Sequence, residues 1–112
     1  MASDATKVQA VPLATLAGAG ITGTYQLFSA TFPTIPVKQL LVYNGTNQLL
    51  TFSLDNVDDH LVVPAAATMI LDFEANGSNR YPGQQPWRLA KGQPIFVKGA
   101  AGTGNVFLMG LY

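Results

Sequence analysis

The stretch Lys38–Phe73, KQLLVYNGTNQLLTFSLDNVDDHLVVPAAATMILDF, decides the fold. Its four apolar runs are short, rich in β-branched and aromatic residues, and separated by breaks of turn residues, which reads as strands and not helices. Val37 to Tyr43 is apolar on both alternating faces and predicts a central strand covered on both sides. Asn44-Gly45 predicts a type I′ hairpin, because that turn needs positive φ at both central positions. Leu50, Phe52 and Leu54 then alternate with Thr51 and Ser53, and Leu61-Val62-Val63 is stopped by Pro64. Met69, Leu71 and Phe73 oppose Asp72 and Glu74, so one side of that run is wet. The expectation is an antiparallel meander within a single all-β domain.

Outward from that frame, Ile21 to Phe32 is a β-rich run in which Gly23 marks a bulge or close backbone approach, and Pro33 and Pro36 end it in a loop. The C-terminal stretch QPIFVKGAAGTGNVFLMGLY predicts a second hairpin, Ile95 to Lys98 and Asn105 to Tyr112 around a glycine-rich connection. Its last strand is apolar on both faces. Residues 1–19 are alanine-rich, carry Pro12, and end at Gly18-Ala19-Gly20, leaving room for no more than a turn of helix. They read as an extended arm before a domain of residues 20–112. Such an arm either stays disordered or docks Val8, Val11, Leu13 and Leu16 on another surface, since ordering each residue costs about 1–2 kcal/mol.

Composition narrows the function classes. The 112 residues contain no cysteine, so there is no disulfide framework, thiolate metal site or thiol nucleophile. Six basic and six acidic residues balance, and the basic ones are scattered, which argues against a phosphate-binding surface and so against nucleic acid as partner. No run of ~20 apolar residues is present for a membrane helix, and the first residues lack the pattern of a signal peptide. Charged residues make up only 11% of the chain where an average domain has about 25%, and a surface so poor in charge favours association with other protein.

Two places invite a search for chemistry. Asp55-Asn56-Val57-Asp58-Asp59-His60 is the most polar segment, but the glycine and glutamate that a calcium loop needs at its sixth and twelfth positions are His60 and Ala66. Asp and Asn commonly close turns, and His60 has no second feature to select a nucleophile, so the segment reads as a solvated connection without catalytic residues. Gly99, Gly102 and Gly104 precede no helix and no lysine–serine or lysine–threonine pair, which excludes a phosphate loop. No metal or cofactor is expected. The long loop Ala75 to Arg88 carries Tyr81, Trp87 and Arg88, residue types that dominate protein hot spots and sugar-stacking platforms alike, though Trp87 could equally plug the end of the sandwich.

Tyr25-Gln26-Leu27-Phe28, the Asn44-Gly45-Thr46 turn, Ser53-Leu54-Asp55 through Pro64-Ala65-Ala66, and Ile95 through Gly104 together resemble small virion structural proteins of tailed bacteriophages. The resemblance spans about Gly20 to Tyr112 and lies in strand and turn pattern. Size, single β domain and arm are most similar to capsid decoration (cement) proteins. That resemblance implies a jelly-roll-like antiparallel sandwich, self-association as dimer or trimer, and a non-enzymatic role clamping the major capsid protein from outside. It also implies location on the virion after synthesis in the host bacterial cytoplasm. A head-to-tail connector or tail protein of the same virion class, and a carbohydrate-binding module using Tyr81, Trp87 and Arg88, are the alternatives.

Overall fold

A computed structural model describes residues 9–73 and 89–112. The described chain is all-β, with eight strands in two antiparallel four-stranded sheets and one short 3-10 turn at Gly18–Gly20. The strands are β1 (Ala14–Ala17), β2 (Gln26–Leu27), β3 (Gln39–Asn44), β4 (Leu50–Ser53), β5 (Leu61–Val63), β6 (Thr68–Asp72), β7 (Phe96–Lys98) and β8 (Asn105–Leu111). One sheet has the order β1-β8-β3-β6 and the other β2-β7-β4-β5. The pairs β4·β5, β3·β6, β2·β7 and β1·β8 are nested antiparallel partners, as in one long ribbon folded back at the 54–60 loop. Lateral pairing of β3 with β8 and of β4 with β7 closes the ribbon into two sheets.

This arrangement corrects the expected meander. Only β4 and β5 form a hairpin within the 38–73 stretch; β3 and β4 lie in different sheets, as do β7 and β8. Asn44-Gly45 is therefore a crossing between sheets and not a type I′ turn, and neither residue has positive φ. The reason is the Asn44 side chain, which is fully buried. Its Nδ2 donates to the carbonyls of Gln48 (2.8 Å), Val63 (2.9 Å) and Pro64 (3.2 Å). Its Oδ1 accepts from the backbone N–H (3.0 Å) and the hydroxyl (2.6 Å) of Thr46. A residue so engaged cannot stand at an exposed turn tip.

The expected arm is also corrected over its described part. Residues 9–17 run along β8 of the same chain: Gln9 and Tyr112 exchange backbone hydrogen bonds, Ala10 bridges Leu111, and β1 pairs from Ala14↔Leu108 to Ala17↔Asn105. Between these pairings Val11, Pro12 and Leu13 stand against Met109 and Gly110, a bulge that accommodates a proline without a missing ladder bond. Val11 turns inward over Gly110, where a Cβ would approach Val37 Cγ1 to 2.8 Å and Val11 Cγ2 to 3.0 Å. The run Ile21 to Phe32 contributes only the two-residue β2, and Gly23 makes no close backbone approach. The loop from Thr31 to Pro36 is as expected and contains a cis Phe32-Pro33 bond.

Alternation places the core between the sheets. Leu40 and Val42 of β3 and Val106 and Leu108 of β8 face Leu50 and Phe52 of β4, Val63 of β5 and Val97 of β7, all buried. Phe28 packs its ring 6.5 Å from that of Phe52. Asn44→Ala is expected to lower unfolding free energy by about 3 kcal/mol in urea titration, because buried carbonyls and the Thr46 N–H lose partners that water cannot replace. Asn44→Asp should cost more, since its carboxylate would face three carbonyl oxygens.

Candidate functional site

Two surfaces could carry function: the polar loop at the tip of the β4–β5 hairpin and the outer face of the β1-β8-β3-β6 sheet. In the loop, Asp55 Oδ1 accepts from the Ser53 hydroxyl (2.8 Å) and the backbone N–H groups of Val57 and Asp58 (2.9 Å each). Ser53 Oγ in turn accepts from the N–H groups of Asp55 and Asn56, and Asn56 takes positive φ to complete the turn. These donors, led by the Asp58 and Val57 amides, pull the Asp55 carboxyl from an ordinary 3.8 down to about 2. His60 Nδ1 accepts the Leu54 N–H at 2.9 Å, so the neutral ring carries its proton on Nε2, 3.8 Å from Asp55 Oδ2.

Asp55, Asp58 and His60 bring ligand-type atoms within 4.8 Å of one another, yet the neutral imidazole's lone pair is already used and three donors hold one Asp55 oxygen. The geometry is that of a self-capped turn, in agreement with the sequence reading. Beside it, Asp59 accepts the Tyr25 hydroxyl and lies 3.1 Å from Lys98 Nζ, which sits 4.5 Å over the Tyr25 ring centre. Desolvation, then the hydrogen bond to Asp59, pushes the Tyr25 hydroxyl up to about 12, while Tyr25 and then Lys98 lower the Asp59 carboxyl. This trio fastens the hairpin tip to β7 and the segment before β2.

The other sheet's outer face is different in kind. Register sets Thr15, Phe107, Tyr43 and Thr68 in one outward row, Met109, Leu41 and Ile70 in the next, and Leu111, Gln39 and Asp72 in a third. Leu13, just before β1, is 55% exposed, Ile70 60% and Tyr43 36%. Tyr43 and Phe107 stack with ring centres 6.1 Å apart. Among the described residues of these rows the only charged side chain is Asp72, at the edge, which accepts from Gln39 Nε2 at 3.2 Å. Among the described residues this face is therefore largely apolar and poor in charge, with Ile70 and Tyr43 exposed and Leu41, Phe107 and Met109 half-buried.

The sequence-derived site residues distribute unevenly over this picture. Leu13 lies on the open face; Leu16 packs against the core and Val11 is inside it, so these two serve the chain's own sandwich. Val8, Tyr81, Trp87 and Arg88 lie outside the described residues. Sequence reasoning passed over Leu41, Tyr43, Ile70, Phe107 and Met109, although their signal was present as strands apolar on both alternating faces. Comparison with protein-family models, with curated proteins and with solved structures finds no match for this chain.

A pH dependence follows from the loop. Because the folded-state Asp55 carboxyl titrates near 2 and the unfolded one near 3.8, its contribution is complete above the upper value and is lost as pH falls towards the lower. Urea midpoints measured between these values should fall with pH, and the fall should be shallower in Asp55→Ala, whose loop lacks the acceptor.

Proposed function

We propose that this chain is a non-enzymatic virion structural protein of the tailed-bacteriophage kind, which binds the outside of a capsid and stabilises contacts between major capsid protein subunits. The observation that carries this reading is the outward apolar surface of Leu41, Tyr43, Ile70, Phe107 and Met109, in which Tyr43 and Ile70 are exposed and the other three half-buried. A face of that kind is a protein contact surface by its chemistry: it offers dispersion and hydrophobic area, and no charge to be desolvated. The nested strand pairing adds support, since eight strands in the interleaved order β1-β8-β3-β6 and β2-β7-β4-β5 are the order of a jelly roll, an architecture used for viral shells and lectins alike.

A decoration protein works by mass action. It binds the assembled lattice and not the free subunit, so every occupied position shifts the equilibrium towards the intact shell. Such work needs interface and no reacting groups, which suits a polar loop whose carboxylate and imidazole are spent on its own turn. The carbohydrate-module alternative rests on Tyr81, Trp87 and Arg88, whereas the open face favours protein as partner.

Quantifying the chain against the major capsid protein in purified virions tests the assignment. Copies in numbers comparable to the shell subunits, with heads lacking the chain melting at lower temperature, are the expected result. A count of about 6 to 12, the number set by a ring, would move it to a connector or tail position, and absence from virions would overturn the reading altogether.

A further inference from the structure

We propose that Asn44–Gly45 is a site of self-modification that the fold holds shut and that unfolding opens, so that a chain once unfolded loses the corner it needs to refold. Asparagine followed by glycine is the pair most prone to deamidation, because glycine has no Cβ to screen its backbone nitrogen. In that reaction the Gly45 nitrogen gives up its proton and bonds to Asn44 Cγ. The Cγ–Nδ2 bond breaks, Nδ2 leaves as ammonia, and a cyclic succinimide remains. Water then opens the ring at either carbonyl: opening at Cγ leaves aspartate, and opening at the main-chain carbonyl leaves isoaspartate, whose backbone runs through Cγ. One water is consumed, one ammonia is released, and no other reactant is needed.

The folded corner favours one feature of this chemistry and opposes the rest. The Thr46 N–H (3.0 Å) and hydroxyl (2.6 Å) both donate to Asn44 Oδ1 and polarise the side-chain carbonyl towards attack. The attacking nitrogen, however, is engaged, since the Gly45 N–H donates to the Asn105 carbonyl at 2.9 Å. Nor can the glycine shift towards Cγ, for a Cβ on Gly45 would lie 2.5 Å from the Asn105 carbonyl oxygen, and one on Gly104 would lie 2.2 Å from the carbonyl oxygen of Gly45. To depart as ammonia Nδ2 must gain a proton, yet among the described residues it meets only acceptors, the carbonyls of Gln48, Val63 and Pro64. Asn44 is 0% exposed, so bulk solvent reaches neither the Gly45 proton nor the ring that would follow. A polarised carbonyl does not outweigh a held nucleophile and a leaving group without a proton source. Unfolding removes all of these restraints together. Either product then lacks Nδ2 and brings a carboxylate to a junction built from carbonyl oxygens, so the modified chain cannot rebuild the crossing.

Peptide mapping of the full chain by mass spectrometry tests the proposal, after parallel incubation in mildly alkaline buffer with and without urea above the unfolding midpoint. In urea, Asn44 should convert at a rate within a few-fold of Asn76, whose Asn-Gly-Ser sequence is an internal standard for the unfolded chain. In buffer alone, conversion at Asn44 should be slower by the unfolding constant measured in urea titration, ~10³-fold or more for a domain of ordinary stability. Ile95→Val, at the end of β7 away from the corner, should raise the buffer rate about 2- to 10-fold, in step with its own unfolding constant. On dilution from urea, chains converted at Asn44 should be confined to the fraction that fails to regain native circular dichroism. Conversion in buffer faster than the unfolded fraction allows, or a rate indifferent to Ile95→Val, overturns the gating. Converted chains in the refolded fraction overturn the trap, and an Asn44 that survives in urea while Asn76 converts overturns the site itself.

Discussion

The structure depends on one buried amide. Asn44 ends β3 at the point where the chain leaves one sheet for the other, and its side chain ties that crossing to the β5–β6 crossing through Val63 and Pro64. The neighbouring backbone extends the junction: Asn44 N–H reaches Ala67, and Gly45 N–H reaches Asn105 at the start of β8. Gly18 and Gly102 bring in the remaining two crossings, Gly18 donating to Gly104 and accepting from Gly102, while Thr103 N–H donates to Asn47 Oδ1. Every passage between sheets at this end of the sandwich thus meets the Asn44–Thr46 corner. Gly104 shows how little room is left, for its φ is +88° and a Cβ there would lie 2.2 Å from the Gly45 carbonyl oxygen.

That corner explains what in the sequence could and could not be read. Leu50 to Phe52 forms a strand whose burial alternates as its sequence does, a local property, while Ser53, expected on the wet face, is buried and Leu54, expected on the buried one, is 39% exposed beyond the strand's end. Which strand pairs with which is not local. Asn44-Gly45 carries the strongest short-range hairpin signal in the chain, yet its side chain finds five partners on segments up to twenty residues away, and long-range hydrogen bonding overrides the turn preference. The same displacement separates β7 from β8. Residues 9–17 carry little strand signal for a related reason: Ala-rich sequence with a proline has weak strand propensity, and β8 recruits it by offering an unpaired edge and the space above Gly110 that Val11 fills.

The polar loop was legible from composition alone, since Asp, Asn and Ser in close succession predict a turn that satisfies its own backbone. The structure supplies the mechanism. Ser53 and Asp55 between them accept five donors from the loop and each other, and His60 closes it by accepting from Leu54. A loop at the tip of the innermost hairpin needs this, because it is the fold-back point of the nested ribbon and packs little apolar surface of its own. Tyr25, Asp59 and Lys98 then pin it laterally, so the carboxylates hold the hairpin in shape.

The open face shows a limit of a different kind. Val37 to Tyr43 and Val106 to Tyr112 are apolar at successive positions, and from such a run one infers that both sides are covered. The period says nothing of whose atoms do the covering. The described strands are all spent on two sheets, and none of them forms a further layer over this face. Composition bears on this from another direction: a chain with six basic and six acidic residues has few charges to spread over its faces, and of the described ones Asp55, Asp58, Asp59 and Lys98 gather at or beside the hairpin tip and Asp72 at the sheet edge. What the strand pattern presents as two-sided burial is, among the described residues, one side buried by folding and the other half-exposed. The two-sided apolar pattern and the low charge count are the same fact about this chain, expressed once along the strand and once over the surface.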